Sequence, residues 1–141
     1  MKTIVCKLFL LLMVMSTLGV IDVKAQVQVQ LKVSTPFVAG DATFPSGSYT
    51  IIQQQDDPQL FEITDNSNSH SALLSVEIID ADQPRAKSEI VFSKYGTTLV
   101  MKQIWVSGSS IGYLVPTGHV EKKAAKSGKP TKQSVETTSK Q

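Results

Sequence analysis

Cysteine is nearly missing from this chain: one occurs in 141 residues, Cys6, inside an apolar N-terminal segment. Without cysteine elsewhere, the rest of the chain excludes a disulfide framework, a thiolate zinc site and a cysteine nucleophile together. A lipoprotein attachment is excluded as well, because Cys6 lacks the small residues that such a signal places just before its cysteine. A run long enough to span a bilayer is also lacking. Residues 8–21 form the longest apolar stretch, 14 residues, short of the ~18 a transmembrane helix needs. With Lys2 and Lys7 before it and Val23-Lys24-Ala25 after it, this stretch has the order of a secretory signal peptide, expected to be cleaved after Ala25. A retained N-terminal anchor is the competing reading. Residues 1–25 removed, about 116 residues remain, enough for one domain with one core.

Histidine is scarce and helical periodicity is missing. No segment between residues 26 and 119 sustains apolar residues at three-and-four spacing over the ten or so positions a helix requires. What is there has a period of two. In Val27-Gln28-Val29-Gln30-Leu31-Lys32-Val33 apolar and polar residues alternate without a miss, as in a strand with one buried face. Further strands are predicted at residues 48–53, 59–64, 72–79, 89–94, 98–106 and 111–115, rich in Val, Ile, Thr, Phe and Tyr. Turn chemistry separates them at Asp56-Asp57-Pro58, Asp65-Asn66-Ser67-Asn68-Ser69, residues 80–84, Tyr95-Gly96 and Ser107-Gly108-Ser109-Ser110. The expected fold is all-β: a single antiparallel β-sandwich or a small β-barrel of about seven strands, with the sandwich preferred. Gly96 should supply a positive φ between two hairpin strands. Trp105 shares strand parity with Leu99 and Met101, which predicts a place in the core. In Phe44-Pro45-Ser46-Gly47-Ser48-Tyr49, Pro45 and a positive φ at Gly47 should make a turn that opens the next strand, with Tyr49 and Ile51 on one face.

Charge is unevenly placed. Residues 26–119 carry five basic and nine acidic side chains, net −4; residues 120–141 carry six lysines and two glutamates, net +4. That terminal segment has no aromatic residue and little that is large and apolar, so a disordered Lys-rich tail is expected, with at most a helical turn at residues 121–126. Such a tail suits anionic polymers, lipid headgroups or wall polymers, nucleic acid least of all in an exported protein; solvation alone also accounts for it.

The motifs that carry chemistry each fail a mechanical requirement. Gly108-Ser109-Ser110-Ile111-Gly112 has the spelling of a hydrolase elbow, but an apolar strand-like run follows where a helix is needed, and no acid lies between Ser110 and His119. The Asp65 to Ser69 run and Asp80-Ala81-Asp82 have no glycine and glutamate at the calcium-loop positions. His70 and His119, the only histidines, would need a third ligand such as Asp65 or Glu121 to hold catalytic zinc. Ser127-Gly128-Lys129-Pro130-Thr131 lacks the upstream glycine of a phosphate loop and has proline where a hydroxyl is required. No catalytic, cofactor-binding or metal site is therefore expected.

Phe37-Val38-Ala39-Gly40, then residues 44–51, then Val91-Phe92-Ser93-Lys94-Tyr95-Gly96, then Gln103-Ile104-Trp105 and Gly112, together resemble a group of small exported proteins of unknown function common in acidobacterial genomes. The group's pattern runs Pro-Phe-x-Phe, Leu-Pro-Ala-Gly-x-Tyr, Val-Phe-His-Arg-Tyr-Gly and a Trp. Here Phe44 replaces Leu, Ser46 replaces Ala, and Ser93-Lys94 replaces His-Arg. The resemblance covers about residues 31–126 and implies an exported all-β domain with no assigned activity. The expected role is a non-catalytic binding or structural module, periplasmic, in the outer envelope or extracellular, meeting an envelope protein or polysaccharide through strand edges or through the loops at residues 56–58 and 80–84. The alternative is a small barrel carrying an apolar ligand, with Phe92, Met101 and Trp105 lining the interior. An enzyme is a third reading, which needs His70, His119 and acidic side chains to converge.

Overall fold

The computed structural model describes residues 26–140; the segment expected to be a signal peptide, residues 1–25, lies outside them. The chain runs β1 (Gln28–Val33), β2 (Phe37–Ala39), β3 (Ala42–Phe44), β4 (Gly47–Gln53), β5 (Leu60–Asp65), β6 (Ser71–Ser75), β7 (Glu77–Asp80), β8 (Glu89–Tyr95), β9 (Thr98–Trp105), β10 (Ile111–Leu114), α1 (His119–Ala125), β11 (Thr131–Glu136) and β12 (Thr138–Lys140). One sheet has the order β12-β1-β4-β5-β6, and the other β11-β8-β9-β10-β7, with β2 parallel to β9 and β3 antiparallel to β2. The fold is an all-β sandwich.

Its two sheets are joined at both sides. The segment predicted as one strand over residues 72–79 is β6 and β7, which change sheets at the buried Val76; its N–H still donates to the Gln59 carbonyl at the end of the β5 ladder. On the opposite side β11 pairs with β8, the Thr137 N–H donates to the Ser88 carbonyl, and β12 pairs with β1. Strands that bend from one sheet into the other are how a sandwich makes its corners. The choice between sandwich and barrel thus becomes a flattened ring of two sheets with shared corner strands.

The disorder expected for residues 120–141 is corrected where they are described: residues 120–140 contribute most of α1 and all of β11 and β12, so ordered structure runs past residue 119. A strand at a sheet edge is held by its backbone ladder and does not need to bury much side chain. In β11 only Val135 packs toward the core, and Lys132, exposed in the same strand, is the residue type that blunts strand edges against aggregation.

The period-two reading of β1 holds, with Val29, Leu31 and Val33 buried. They meet Tyr49, Ile51, Phe61 and Ile63 of the same sheet and Ile90, Phe92, Leu99, Met101 and Ile104 of the other in one cluster. The β2–β3 hairpin, too short to alternate visibly, adds Phe37 and Phe44, whose rings stack at 5.2 Å; Tyr49 meets Phe37 edge-on at 5.1 Å, and Phe92 meets it at 5.8 Å. Gly96 takes its positive φ of 59° in the β8–β9 turn.

Two local expectations are corrected. Gly47 does not adopt a positive φ; the turn before β4 is instead tied by the Tyr49 hydroxyl, which donates to the Pro45 carbonyl at 2.6 Å. Trp105 is buried but lies outside the core cluster, because β9 carries a bulge: Phe92 pairs with Met101 while Val91 pairs with Gln103, leaving Lys102 as the extra residue. A bulge reverses the parity of everything beyond it, so Ile104 turns inward and Trp105 outward, over Gly112. Gly47→Ala is therefore expected to change stability by no more than ~0.5 kcal/mol, since its Cβ meets the Tyr49 ring at an ordinary 3.6 Å. Gly112→Ala should cost roughly 1–3 kcal/mol, since its Cβ falls 2.5 Å from the Trp105 ring. Urea unfolding of both variants checks the pair.

Candidate functional site

The bulge also builds the most connected polar cluster on the outer face. Val38, Val91, Val100 and Trp105 are buried on that face without joining the central cluster. Lys102, thrown out of register, sends its ammonium to the Glu121 carboxylate of α1 at 2.8 Å and to the Thr117 hydroxyl at 3.1 Å. The second Glu121 oxygen accepts the Tyr95 hydroxyl at 3.0 Å. Glu121 is 3% exposed, so both of its oxygens are taken in a nearly dry setting, the condition under which a buried carboxylate is tolerated. Burial first, and then the hydrogen bond and negative charge of Glu121, push the Tyr95 hydroxyl above its ordinary pKa. At the start of α1 the Asp41 carboxylate accepts the His119 N–H at 2.6 Å, serving a helix whose N-cap residue, Gly118, has no side chain to do so.

This network fixes which side of α1 faces the solvent. At 100° per residue, Lys122, Lys123 and Lys126 lie at about 100°, 200° and 140° from Glu121, opposite the anchored side. All three are exposed, as are Lys129 and Lys132 after them. None of the five forms an ion pair among the described residues; the four pairs there are His70–Asp65, Arg85–Glu89, Lys87–Glu136 and Lys102–Glu121. What sequence reading took for a tail of solvated charges is a cationic face held on a folded scaffold. A helical turn at residues 121–126 was allowed for from the sequence; the partners of Glu121, Tyr95 and Lys102, were not.

The sequence-predicted sites fall in separate places. Asp65 and His70 do meet, at 3.1 Å, across the β5–β6 turn, where Asp65 also accepts the Ser67 hydroxyl and the Ser69 N–H. Partial burial raises the Asp65 pKa, but these hydrogen bonds outweigh it and leave the carboxyl at about 2. His119 is at α1 with its backbone on Asp41, and Glu121 serves Tyr95 and Lys102. No group of three His, Cys, Asp or Glu side chains able to hold a metal occurs among the described residues. Ser110 sits between two strands, its carbonyl accepting the Ala81 N–H, while the Ser109 hydroxyl caps Ile111. Arg85 lies 4.1 Å over the Trp105 ring, closing off that indole. A cleft of about 500 Å³ lies open between the β2–β3 turn, β6 and residues 116–118, lined in part by Leu73, which is 65% exposed.

Asp65→Asn should lower Tm, and the gap from the parent should narrow as pH falls. A carboxylate whose folded pKa is depressed stabilises above its unfolded value of ~3.9 and loses that contribution as pH drops toward 2. Thermal scans at pH 5, 4, 3 and 2 read the effect; a gap that does not narrow contradicts it.

No protein-family model, curated protein or solved structure matches the chain. No helix among the described residues is long and apolar enough to cross a membrane.

Proposed function

We propose that the protein is an exported, non-catalytic β module of the cell envelope or extracellular space, and that it works by presenting outer faces to a partner. The observation that carries this reading is the way the chain uses itself up. Its interior is filled by Phe37, Phe44, Tyr49, Phe61, Phe92 and Met101, each under 3% exposed, and the sheet edges at β8 and β1 are taken by its own β11 and β12. A carrier of an apolar ligand needs a hollow interior; here aromatic rings interlock in it, and Trp105, expected as interior lining, faces outward. The edges of β8 and β1 are occupied by the chain's own strands, and the edge that β11 presents in turn carries the exposed Lys132, a residue type that discourages strand addition; this favours faces and loops as contact surfaces. The signal-like residues 1–25 and the resemblance to exported β proteins support the compartment.

Expression of the whole chain, followed by mass analysis of the exported fraction, should yield a product beginning at Gln26. That product should be retained by isolated envelopes from its source. An unprocessed cytosolic chain, or a processed one that envelopes do not retain, contradicts the reading.

A further inference from the structure

We infer that the face formed by α1 and the start of β11 docks on an anionic lipid bilayer. The inference rests on the envelope reading above for its compartment, and on charge and shape for the rest. Lys122, Lys123, Lys126, Lys129 and Lys132 are exposed within eleven residues of chain, and the one acidic residue among them, Glu121, is turned inward and neutralised by Lys102. Apart from Asp41, whose carboxylate accepts the His119 N–H at the start of α1, the exposed charge of this face is of one sign. Residues 26–119 carry nine acidic side chains against five basic ones, so the exposed lysines of residues 122–132 stand out as a concentration of positive charge, and a flat negative surface would orient the molecule with α1 downward.

Shape and residue type select among anionic partners. The helix is anchored on the outside of β8 and β9 through Tyr95 and Lys102, so the lysines stand on a projecting element; a polymer chain is ordinarily tracked by a groove. All five cations are lysines, which act as point charges on flexible stems, and none is the arginine fork that reads a defined phosphate or carboxylate. Residues 120–140 hold no aromatic side chain to stack on a base or a sugar. Diffuse attraction to a headgroup plane is what remains, and it is worth about fivefold in affinity per lysine brought to the surface.

The test is co-sedimentation of the processed protein with vesicles of phosphatidylcholine alone and with about 30% phosphatidylglycerol, at salt from about 50 to 500 mM. The parent should bind the anionic vesicles at low salt, release as salt rises, and ignore the neutral ones. Lys122→Gln, Lys123→Gln and Lys126→Gln together should weaken binding roughly 100-fold, while Lys32→Gln, on the outer face of the other sheet, should leave it within about twofold. Parent and variant share one N-terminus, so their ratio isolates the lysines whatever becomes of residues 1–25. If the triple variant loses its fold by circular dichroism, the parent's salt and lipid dependence decides alone. No binding to anionic vesicles, equal binding by a folded triple variant, salt-independent binding, or capture by soluble polyphosphate in place of vesicles each overturns the inference. Envelope retention that survives the triple substitution overturns this docking face and leaves the envelope module standing.

Discussion

Ending the chain after Lys126 is expected to lower Tm by roughly 10–15 °C and to make the protein self-associate. The cut removes β11 and β12, which occupy the edges of β8 and β1, together with the Thr137 N–H bond to Ser88 and the Lys87–Glu136 pair. Lys87 and Glu136 are both largely exposed, so the pair adds little. The nine register pairs of the two strands matter more: even a small net gain per backbone hydrogen bond, reduced by the entropy of ordering the segment, sums to about 3 kcal/mol. For a domain of this size that is the Tm change stated. Two bare edges carrying Ile90 and Phe92 on one strand and Val29 and Leu31 on the other would then pair with other copies. A solvated tail would leave Tm and sedimentation unchanged, which makes the truncation decisive between the two descriptions of residues 120–141.

Phe92→Ala is expected to cost about 3–5 kcal/mol, read as a lower urea midpoint at unchanged slope. Phe92 has no exposed surface, meets Phe37 edge-on at 79° between ring planes, and lies within the buried cluster shared by both sheets, where close packing allows only partial collapse into a void. The cavity would be lined by apolar side chains and stay dry. If the substitution cost less than ~1 kcal/mol, the interior would have to be loosely filled, as a barrel that holds an apolar ligand requires.

Much of the sandwich was legible because half-buried strands write their period into the residues. Val29-Leu31-Val33 and Tyr49-Ile51 fell on the faces that their alternation assigned. The failures have separate causes. The β2–β3 hairpin is two strands of three residues, below the length at which a period can be recognised. Trp105 was assigned to the wrong face because counting by twos assumes an unbroken strand, and nothing in Val100-Met101-Lys102-Gln103-Ile104 announces the extra residue at Lys102. Residues 131–140 were read as disordered because composition tests whether a segment can bury apolar surface, whereas an edge strand lives on a ladder offered by its neighbour. The lysine face was half legible: its charge was plain from residues 122–132, but its fixed orientation depends on Tyr95 and Lys102, distant in sequence from Glu121.

The claim on which the rest depends is that the terminal segment is a corner strand of the sandwich, closing the ring at Thr137. Hydrogen exchange of the Thr131–Glu136 amides in the folded protein tests it most directly. Amides bonded to β8 should exchange at least ~100-fold more slowly than unstructured chain, and those of Gly128 and Lys129 in the preceding loop should exchange freely. Exchange at the unstructured rate throughout residues 131–136 would contradict the closed ring and, with it, the fixed placement of the cationic face.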